Sequence, residues 1–173
     1  MDKIKDLNME LKIDFTRKDF LEFNKYVYFK KRIKKSIVIS VFFILLWLIL
    51  LNFNRPFNPI MILIQIIIFS LVWVLFSFLS YKFTFLRISK MPDKNGEIIG
   101  EKTYLILKDG FKQITANGES FIKWNGIKSL EENKNYLFIF VDKIAAYVIP
   151  KRYLNDLPEK NEFIKTLKEN IKI

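Results

Sequence analysis

Two groups of side chains in the second half of the sequence could bind a partner. Trp124 lies directly before Asn125-Gly126, and tryptophan is favoured at the centre of protein interfaces. An aromatic anchor in a small β core would show the same pattern. Lys151 and Arg152 follow Pro150 and could face lipid headgroups or an acidic partner, or could simply be solvated charges. We therefore treat Trp124, Lys151 and Arg152 as candidate interaction or membrane-orienting residues.

A third candidate is a basic cluster that directly precedes a long apolar stretch: Lys30, Lys31, Arg32, Lys34 and Lys35. Its simplest role is topological, because lysine and arginine are enriched on the cytoplasmic side of membrane spans. The alternative is binding to a specific anionic lipid. Both interpretations place this cluster at a membrane surface.

Catalytic chemistry has little support in the composition. The 173 residues include no His and no Cys, so the commonest general base and the thiolate nucleophile are both absent. Glu131 and Glu132 are adjacent, and on a strand their side chains would diverge, which prevents a close acid–base pair. The sequence also has no phosphate-binding glycine loop and no zinc motif. We predict that the protein is not an enzyme and has no catalytic, cofactor-binding or metal-binding residues.

The net charge of +11 is compatible with a nucleic acid or an anionic membrane as partner. The basic residues are spread along the chain or explained by membrane topology, so we predict no nucleic-acid binding. The predicted partners are the lipid bilayer and a membrane or cytoplasmic protein.

The elements that must position these residues begin with an apolar block at residues 37–81. Arg55 is the only charged residue in this block. Segments 37–53 and 60–81 have the lengths of membrane spans, and the Asn- and Pro-rich stretch between them predicts a tight turn. Because neither segment has a polar face, we predict a two-span transmembrane helical hairpin over residues 36–85.

The second span carries Ser70 and Ser77 two helical turns apart on one face. Small residues let helices approach closely, so we predict that this face packs the hairpin or a homo-oligomer. Basic residues flank both outer ends of the hairpin, whereas the connecting loop has Arg55 alone. This asymmetry predicts a multi-pass protein of the inner (plasma) membrane with both termini in the cytoplasm.

The remaining segments predict a small β domain. Residues 1–35 should form an N-terminal strand and a juxtamembrane helix, because residues 10–15 alternate polar and apolar. Residues 86–99 form a linker. Residues 100–173 show short strands separated by Asp-Gly and Asn-Gly turns, followed by a helix whose start is predicted at 156–159. The strand at residues 10–15 could add an edge to this domain.

Several segments of the chain resemble, in order, the YcxB-like membrane proteins of bacteria. The most distinctive is Ile149-Pro150-Lys151-Arg152 before a helix, and the others are 15–20, 24–26, 100–104, 107–110, 117–124, 136–140 and 145–148. The resemblance implies a pleckstrin-homology-like (PH-like) cytoplasmic domain over residues 100–173, and it supplies no catalytic residue. The expected fold class is therefore membrane α+β, with a helical hairpin and a small antiparallel PH-like β-sandwich or barrel capped by a C-terminal helix.

These features favour a non-catalytic interaction module that is tethered to the membrane at its cytoplasmic face. Two other functions remain open from the sequence. One is an immunity-type protein that protects its own cell against a membrane-active peptide. The other is an accessory subunit of a transporter.

Overall fold

The computed structural model of the protein describes residues 9–54, 56, 58–93, 96, 98–155 and 160–171, and for Lys31 and Arg32 it describes the backbone alone. The chain forms two compact units. One unit combines Met1–Phe23 with Pro92–Ile173, and the other is Asn24–Met91. We call them the β unit and the helical unit.

The first sheet of the β unit has four antiparallel strands in the order β1-β2-β3-β4: Met9–Phe15, Gly100–Leu107, Gly110–Thr115 and Gly118–Lys123. Buried and exposed residues alternate strictly along β1, which gives that strand one core face and one solvent face. The N-terminal strand thus lies at the edge of the sheet that the second half of the chain forms.

The second sheet of the β unit has three antiparallel strands in the order β5-β6-β7: Ser129–Glu132, Tyr136–Phe140 and Ala146–Pro150. All five residues of β6 are buried, as their continuous apolar and aromatic sequence predicts. A short 3-10 turn, Trp124–Gly126, follows β4 of the first sheet. Strands β2 to β7 therefore come from one nearly continuous run of short strands, and β1 joins the first sheet from the N-terminal part of the chain.

Two short helices end the chain: α4 at Lys151–Asn155 and α5 at Lys160–Asn170. Along and just after α5, Phe163, Leu167 and Ile171 are buried, and their spacing places them on one face. The C-terminal helix is therefore present, while its predicted start at 156–159 lies outside the described residues.

Helix α1, Arg17–Val27, begins in the β unit, and only its last four residues belong to the helical unit. The helical unit continues with a π-helical turn at Tyr28–Arg32 and the long helices α2 (Ile33–Asn52) and α3 (Pro59–Lys90). Both long helices have the length and composition needed to cross a membrane. Arg55, in the connection between them, lies outside the described residues.

Polar groups join α2 to α3 at two levels. The Trp73 indole donates a hydrogen bond of 2.9 Å to the Ser40 hydroxyl, and the Asn52 side-chain amide donates one of 2.9 Å to Gln65 Oε1. Aromatic contacts such as Trp47 against Phe69, with ring centroids 5.5 Å apart, lie between these levels. Such bonds are effective contacts between helices when the surroundings are apolar.

The α3 helix extends further than the apolar run predicts, because it continues to Lys90 into the segment expected to be a linker. The physical reason is that the first strong helix breaker is Pro92, which has no backbone N–H to continue the helical hydrogen bonds. At 32 residues, α3 is about 48 Å long, which exceeds a hydrocarbon core of about 30 Å.

Candidate functional site

The predicted binding residues Lys151 and Arg152 lie at the start of α4, directly after the end of β7. Arg152 faces a carboxylate from the other end of the chain. Its Nη1 and Nη2 donate hydrogen bonds of 2.7 Å to Oδ1 and Oδ2 of Asp19. This two-bond arrangement is the geometry in which an arginine binds a carboxylate most specifically.

Asp19 is buried completely, and its position comes from local sequence. It lies in the first turn of α1 and forms a reciprocal cap with Thr16, whose backbone N–H donates to Asp19 Oδ2 at 2.9 Å while the Asp19 N–H donates to Thr16 Oγ1 at 3.3 Å. The Thr16 hydroxyl donates a further bond to Oδ2 at 2.7 Å, and the Tyr136 hydroxyl donates to Oδ1 at 2.8 Å. Every donor required to stabilise a buried carboxylate is thus present.

The protonation equilibrium of Asp19 reflects this set of donors. Burial by itself raises its pKa, but the hydrogen bonds from Arg152, Thr16 and Tyr136 outweigh burial and lower the pKa from 3.8 to about 2. Conversely, burial and the adjacent Asp19 raise the pKa of Tyr136 to about 12. The carboxylate is therefore charged, and the phenol neutral, at physiological pH.

This shift affects stability in a defined direction. The pKa of Asp19 is lower in the folded chain than in the unfolded chain. The contribution of Asp19 to folding stability is therefore fully present above about pH 4 and is lost as the pH falls through about 2. A difference of this size corresponds to about 2 kcal/mol of folding free energy.

Arg152 also contacts the end of β1. Its Nη2 lies 3.4 Å from the Asp14 carbonyl oxygen, which accepts a further hydrogen bond of 3.0 Å from the Tyr153 hydroxyl. The hydrogen bonds to Asp19 raise the pKa of Arg152. Arg152 therefore has an internal role in holding β1 and α1 against α4, and its predicted contact with an external partner remains a prediction.

Lys151 has a different environment from its neighbour. Its Nζ donates to Glu132 Oε2 at 2.7 Å, and Lys168 approaches the other oxygen of Glu132 at 3.7 Å. The hydrogen bond from Lys151 lowers the pKa of Glu132. Because the Glu132 side chain is about half exposed (47%), this pair contributes little to stability.

An open cavity of about 530 Å³ lies beside these two ion pairs, and we call it the basic groove. Four basic side chains and one acidic side chain contribute to its walls, together with Tyr136 and two asparagines: Lys18, Lys134, Lys151, Arg152, Glu22, Asn135 and Asn155. Among the residues that the structure describes, Lys18 and Lys134 have no carboxylate or hydrogen-bond partner. These two ammonium groups are available to an acidic ligand.

Trp124 does not contribute to the basic groove. It lies half-buried in the 3-10 turn, where its indole N–H donates to the Lys108 carbonyl oxygen at 3.0 Å. This bond fixes the ring against the β2–β3 turn. The structure thus separates Trp124 from Lys151 and Arg152, which line one groove.

The basic cluster of the helical unit spans the π-helical turn and the start of α2. Lys30 donates a hydrogen bond of 3.0 Å to the Tyr26 hydroxyl, and Lys34 and Lys35 are exposed. The side chains of Lys31 and Arg32 lie outside the described residues.

The predicted packing residues of α3 have different exposure, since Ser70 is half-buried and Ser77 exposed. In the part of the chain that the structure describes, the interhelical hydrogen bonds come from the Ser40–Trp73 and Asn52–Gln65 pairs. The role of the Ser70–Ser77 face therefore remains a prediction.

Asp19 is a site residue that sequence reasoning missed, as are the groove residues Lys18 and Lys134. The spacing of Thr16 and Asp19 indicates a helix start, and that signal is correct. It carries no information about Arg152, which lies 133 positions away. The one sequence signal for such a pair is weak: Asp19 is a charged residue in the first turn of a half-buried helix, which could have indicated a buried ionic partner.

Comparison with known proteins identifies a family for the C-terminal part of the chain. Residues 106–167 match the model of a family described as YcxB-like protein. The matched segment runs from β2 into α5 and includes Trp124, Lys151 and Arg152, whereas Asp19 and the two long helices lie outside it. The resemblance to the YcxB-like family is thus confirmed for this segment. No curated protein and no solved structure matches the chain.

Proposed function

We propose that the protein is a membrane-tethered interaction module that acts without catalysis at the cytoplasmic face of the inner membrane. In this proposal α2 and α3 form the transmembrane hairpin. The β unit is a PH-like domain, and the basic residues at the outer ends of the hairpin keep both chain termini in the cytoplasm.

Support for the membrane part comes from the surface of the two helices. In the most apolar window of α2, and equally in that of α3, none of the residues is buried. Large apolar side chains such as Leu50, Ile60 and Leu71 are about two-thirds exposed (68%, 70% and 67%). A continuous apolar surface of this kind requires a cover, and hydrocarbon is the cover that matches the length and composition of both helices.

The connectivity of the chain supports a tether rather than a transport path. The chain leaves the β unit after Phe23 and returns to it at Pro92, so this unit is covalently joined to both outer ends of the helix pair. Within the β unit, Arg17 Nη2 donates a hydrogen bond of 2.8 Å to the Pro92 carbonyl oxygen, which joins the segment that leaves the unit to the segment that returns.

The single observation that carries the binding role is the basic groove. Lys18 and Lys134 line it with no partner in the part of the chain that the structure describes, beside two basic residues that are already paired. A partner with acidic groups, either a protein segment or a lipid headgroup, would supply the missing counter-charges. In a chain that is already anchored, each such contact orients the domain and selects a partner.

The test is a charge reversal in the groove of the full-length protein in living cells. Deleting residues 100–173 would unpair β1 from β2 and would damage the fold, so we choose Lys18→Glu combined with Lys134→Glu. The matched control is Lys123→Glu combined with Lys143→Glu, which changes the net charge equally at exposed positions outside the groove.

We expect the groove variant, and not the control, to lose its co-purifying membrane or cytoplasmic partner in quantitative mass spectrometry. An accessory role beside a transporter would depend on α2 and α3 instead. An unchanged set of partners in the groove variant would therefore contradict the proposal.

A further inference from the structure

One lysine of the β unit, Lys102, lies on the core-facing side of its sheet. Side chains two apart on a strand share a face, so Lys102 lies on the same face of β2 as Tyr104 and Ile106, which are 1% and 0% exposed. Its partners in the register are Ile13 of β1 and Thr115 of β3. The sequence therefore places an ammonium group in the core-facing row of the first sheet.

Lys102 contributes to a cavity of about 310 Å³ within the β unit. The walls are mainly aromatic and apolar, and they include Phe15, Phe20, Phe23 and Tyr104. Gln113, which is opposite Tyr104 in the register, adds a side-chain amide. An apolar cavity with a few convergent polar groups is the usual form of a small-molecule site.

Two polar groups of this cavity, the Lys102 ammonium and the Gln113 amide, have no hydrogen-bond partner among the described residues, whereas the Tyr104 hydroxyl donates to the Val148 carbonyl oxygen. Lys102 Nζ lies 4.5 Å from the centroid of the Phe15 ring. Among the described residues, however, no carboxylate pairs with Lys102 and nothing hydrogen-bonds the Gln113 amide. The acidic residues next to Lys102 in the sheet, Asp14 and Glu101, are exposed on the opposite face.

Burial lowers the pKa of Lys102, which is the expected effect of removing an unpaired ammonium group from water. A half-buried cation costs free energy unless an anion accompanies it. This site therefore has the geometry and the charge to bind an anion whose remaining part is apolar.

We propose that the cavity around Lys102 binds a small organic anion, with a carboxylate head on Lys102 and Gln113 and an aromatic or aliphatic body against Phe15, Phe20 and Phe23. The volume of about 310 Å³ equals the share of roughly ten water molecules in the liquid, which corresponds to a ligand the size of a phenylalkanoate. The described residues that line this cavity and those that line the basic groove are different sets, so the proposal is independent of the proposed partner site.

The experiment uses the full-length protein in nanodiscs of zwitterionic phosphatidylcholine, so that the lipid itself does not attract anions. The probe is 3-phenylpropionate, and the matched neutral probe is 3-phenylpropanamide. Binding is measured by saturation-transfer NMR, with empty nanodiscs as the blank. We expect the acid to bind at least about ten-fold more tightly than the amide, because only the acid pairs with the ammonium group.

The variants are Lys102→Met, which removes the charge and keeps most of the length of the side chain, and Lys12→Met as its matched control. Lys12 lies on the neighbouring strand next to Ile13, the register partner of Lys102, but it is exposed on the outer face. We expect Lys102→Met to weaken binding of the acid by at least about ten-fold and Lys12→Met to leave it unchanged.

Equal affinity for acid and amide, equal effects of the two variants, or no binding of the acid would each overturn the proposal. If Lys102→Met does not fold, the comparison of acid and amide on the unsubstituted chain still decides it.

Discussion

Replacing Arg152 with methionine would leave the Asp19 carboxylate buried without its charged partner. Removing one partner of a buried ion pair costs about 3–5 kcal/mol. Two features of the structure reduce that figure. The Arg152 side chain is 46% exposed although Asp19 is 0% exposed, and Thr16 and Tyr136 still donate to the carboxylate. We therefore expect Arg152→Met to destabilise the β unit by about 2–3 kcal/mol.

The assay is hydrogen–deuterium exchange of the full-length protein in nanodiscs, read by mass spectrometry on peptides that contain β6 (Tyr136–Phe140). Exchange of such core amides reports the free energy of opening, and about 1.4 kcal/mol corresponds to a ten-fold change. The expected loss of stability is thus an acceleration of roughly 30- to 150-fold. Lys151→Met is the matched control, because its partner Glu132 is about half exposed and the pair is worth at most about 1 kcal/mol.

A double-mutant cycle separates the ion pair from general damage. Asp19→Asn removes the charge that Arg152 neutralises, so the combined variant should be less destabilised than the sum of the two single variants by about 1–2 kcal/mol. If Arg152→Met accelerates exchange no more than Lys151→Met, or if the two effects are simply additive, the assignment of Asp19 and Arg152 as a coupled pair is refuted.

Three further predictions concern pH, backbone packing and topology. Between about pH 4 and pH 2 the protonation of Asp19 should cost the β unit about 2 kcal/mol of stability. Exchange measured across this range should show a loss in the wild type that exceeds the loss in Asp19→Asn by that amount. Gly110→Ala should destabilise the first sheet by about 2–4 kcal/mol, because its Cβ would clash with the Ile122 carbonyl oxygen, whereas Gly118→Ala meets nothing within 4 Å; thermal unfolding of the two variants compares them directly. A reporter enzyme that works only outside the cytoplasm, fused after Ile173, should be inactive, and activity there would contradict the predicted orientation.

The sequence predicts most elements of the fold because their signals are local. Alternation marks β1, the Asp109-Gly110 and Asn117-Gly118 turns mark the hairpins, and uninterrupted apolar runs mark α2 and α3. Each of these patterns depends on residues within one element or one turn. These patterns therefore predict their elements correctly even when the segments that pack against them are unknown.

The functional groups were harder to predict because they depend on contacts between distant segments. The sequence around Arg152 is typical of a solvated charge, yet Arg152 pairs with Asp19, 133 positions earlier. Lys102 shares one face of β2 with Tyr104 and Ile106, and only the burial of those two residues in the structure shows that this face is the core face. A local pattern fixes where a side chain points along its own strand, but not which charge from another segment meets it.

The central claim is that the basic groove binds a partner at the membrane, and site-specific photo-crosslinking tests it most directly. A photo-reactive residue replaces Lys134, which is exposed in the groove and has no internal partner among the described residues, so the Asp19–Arg152 pair stays intact. The same residue at the exposed Lys143, outside the groove, is the control. Mass spectrometry of the membrane fraction should show one dominant protein or headgroup adduct from position 134 that position 143 lacks. The same adducts from both positions, or none from position 134, would contradict the account.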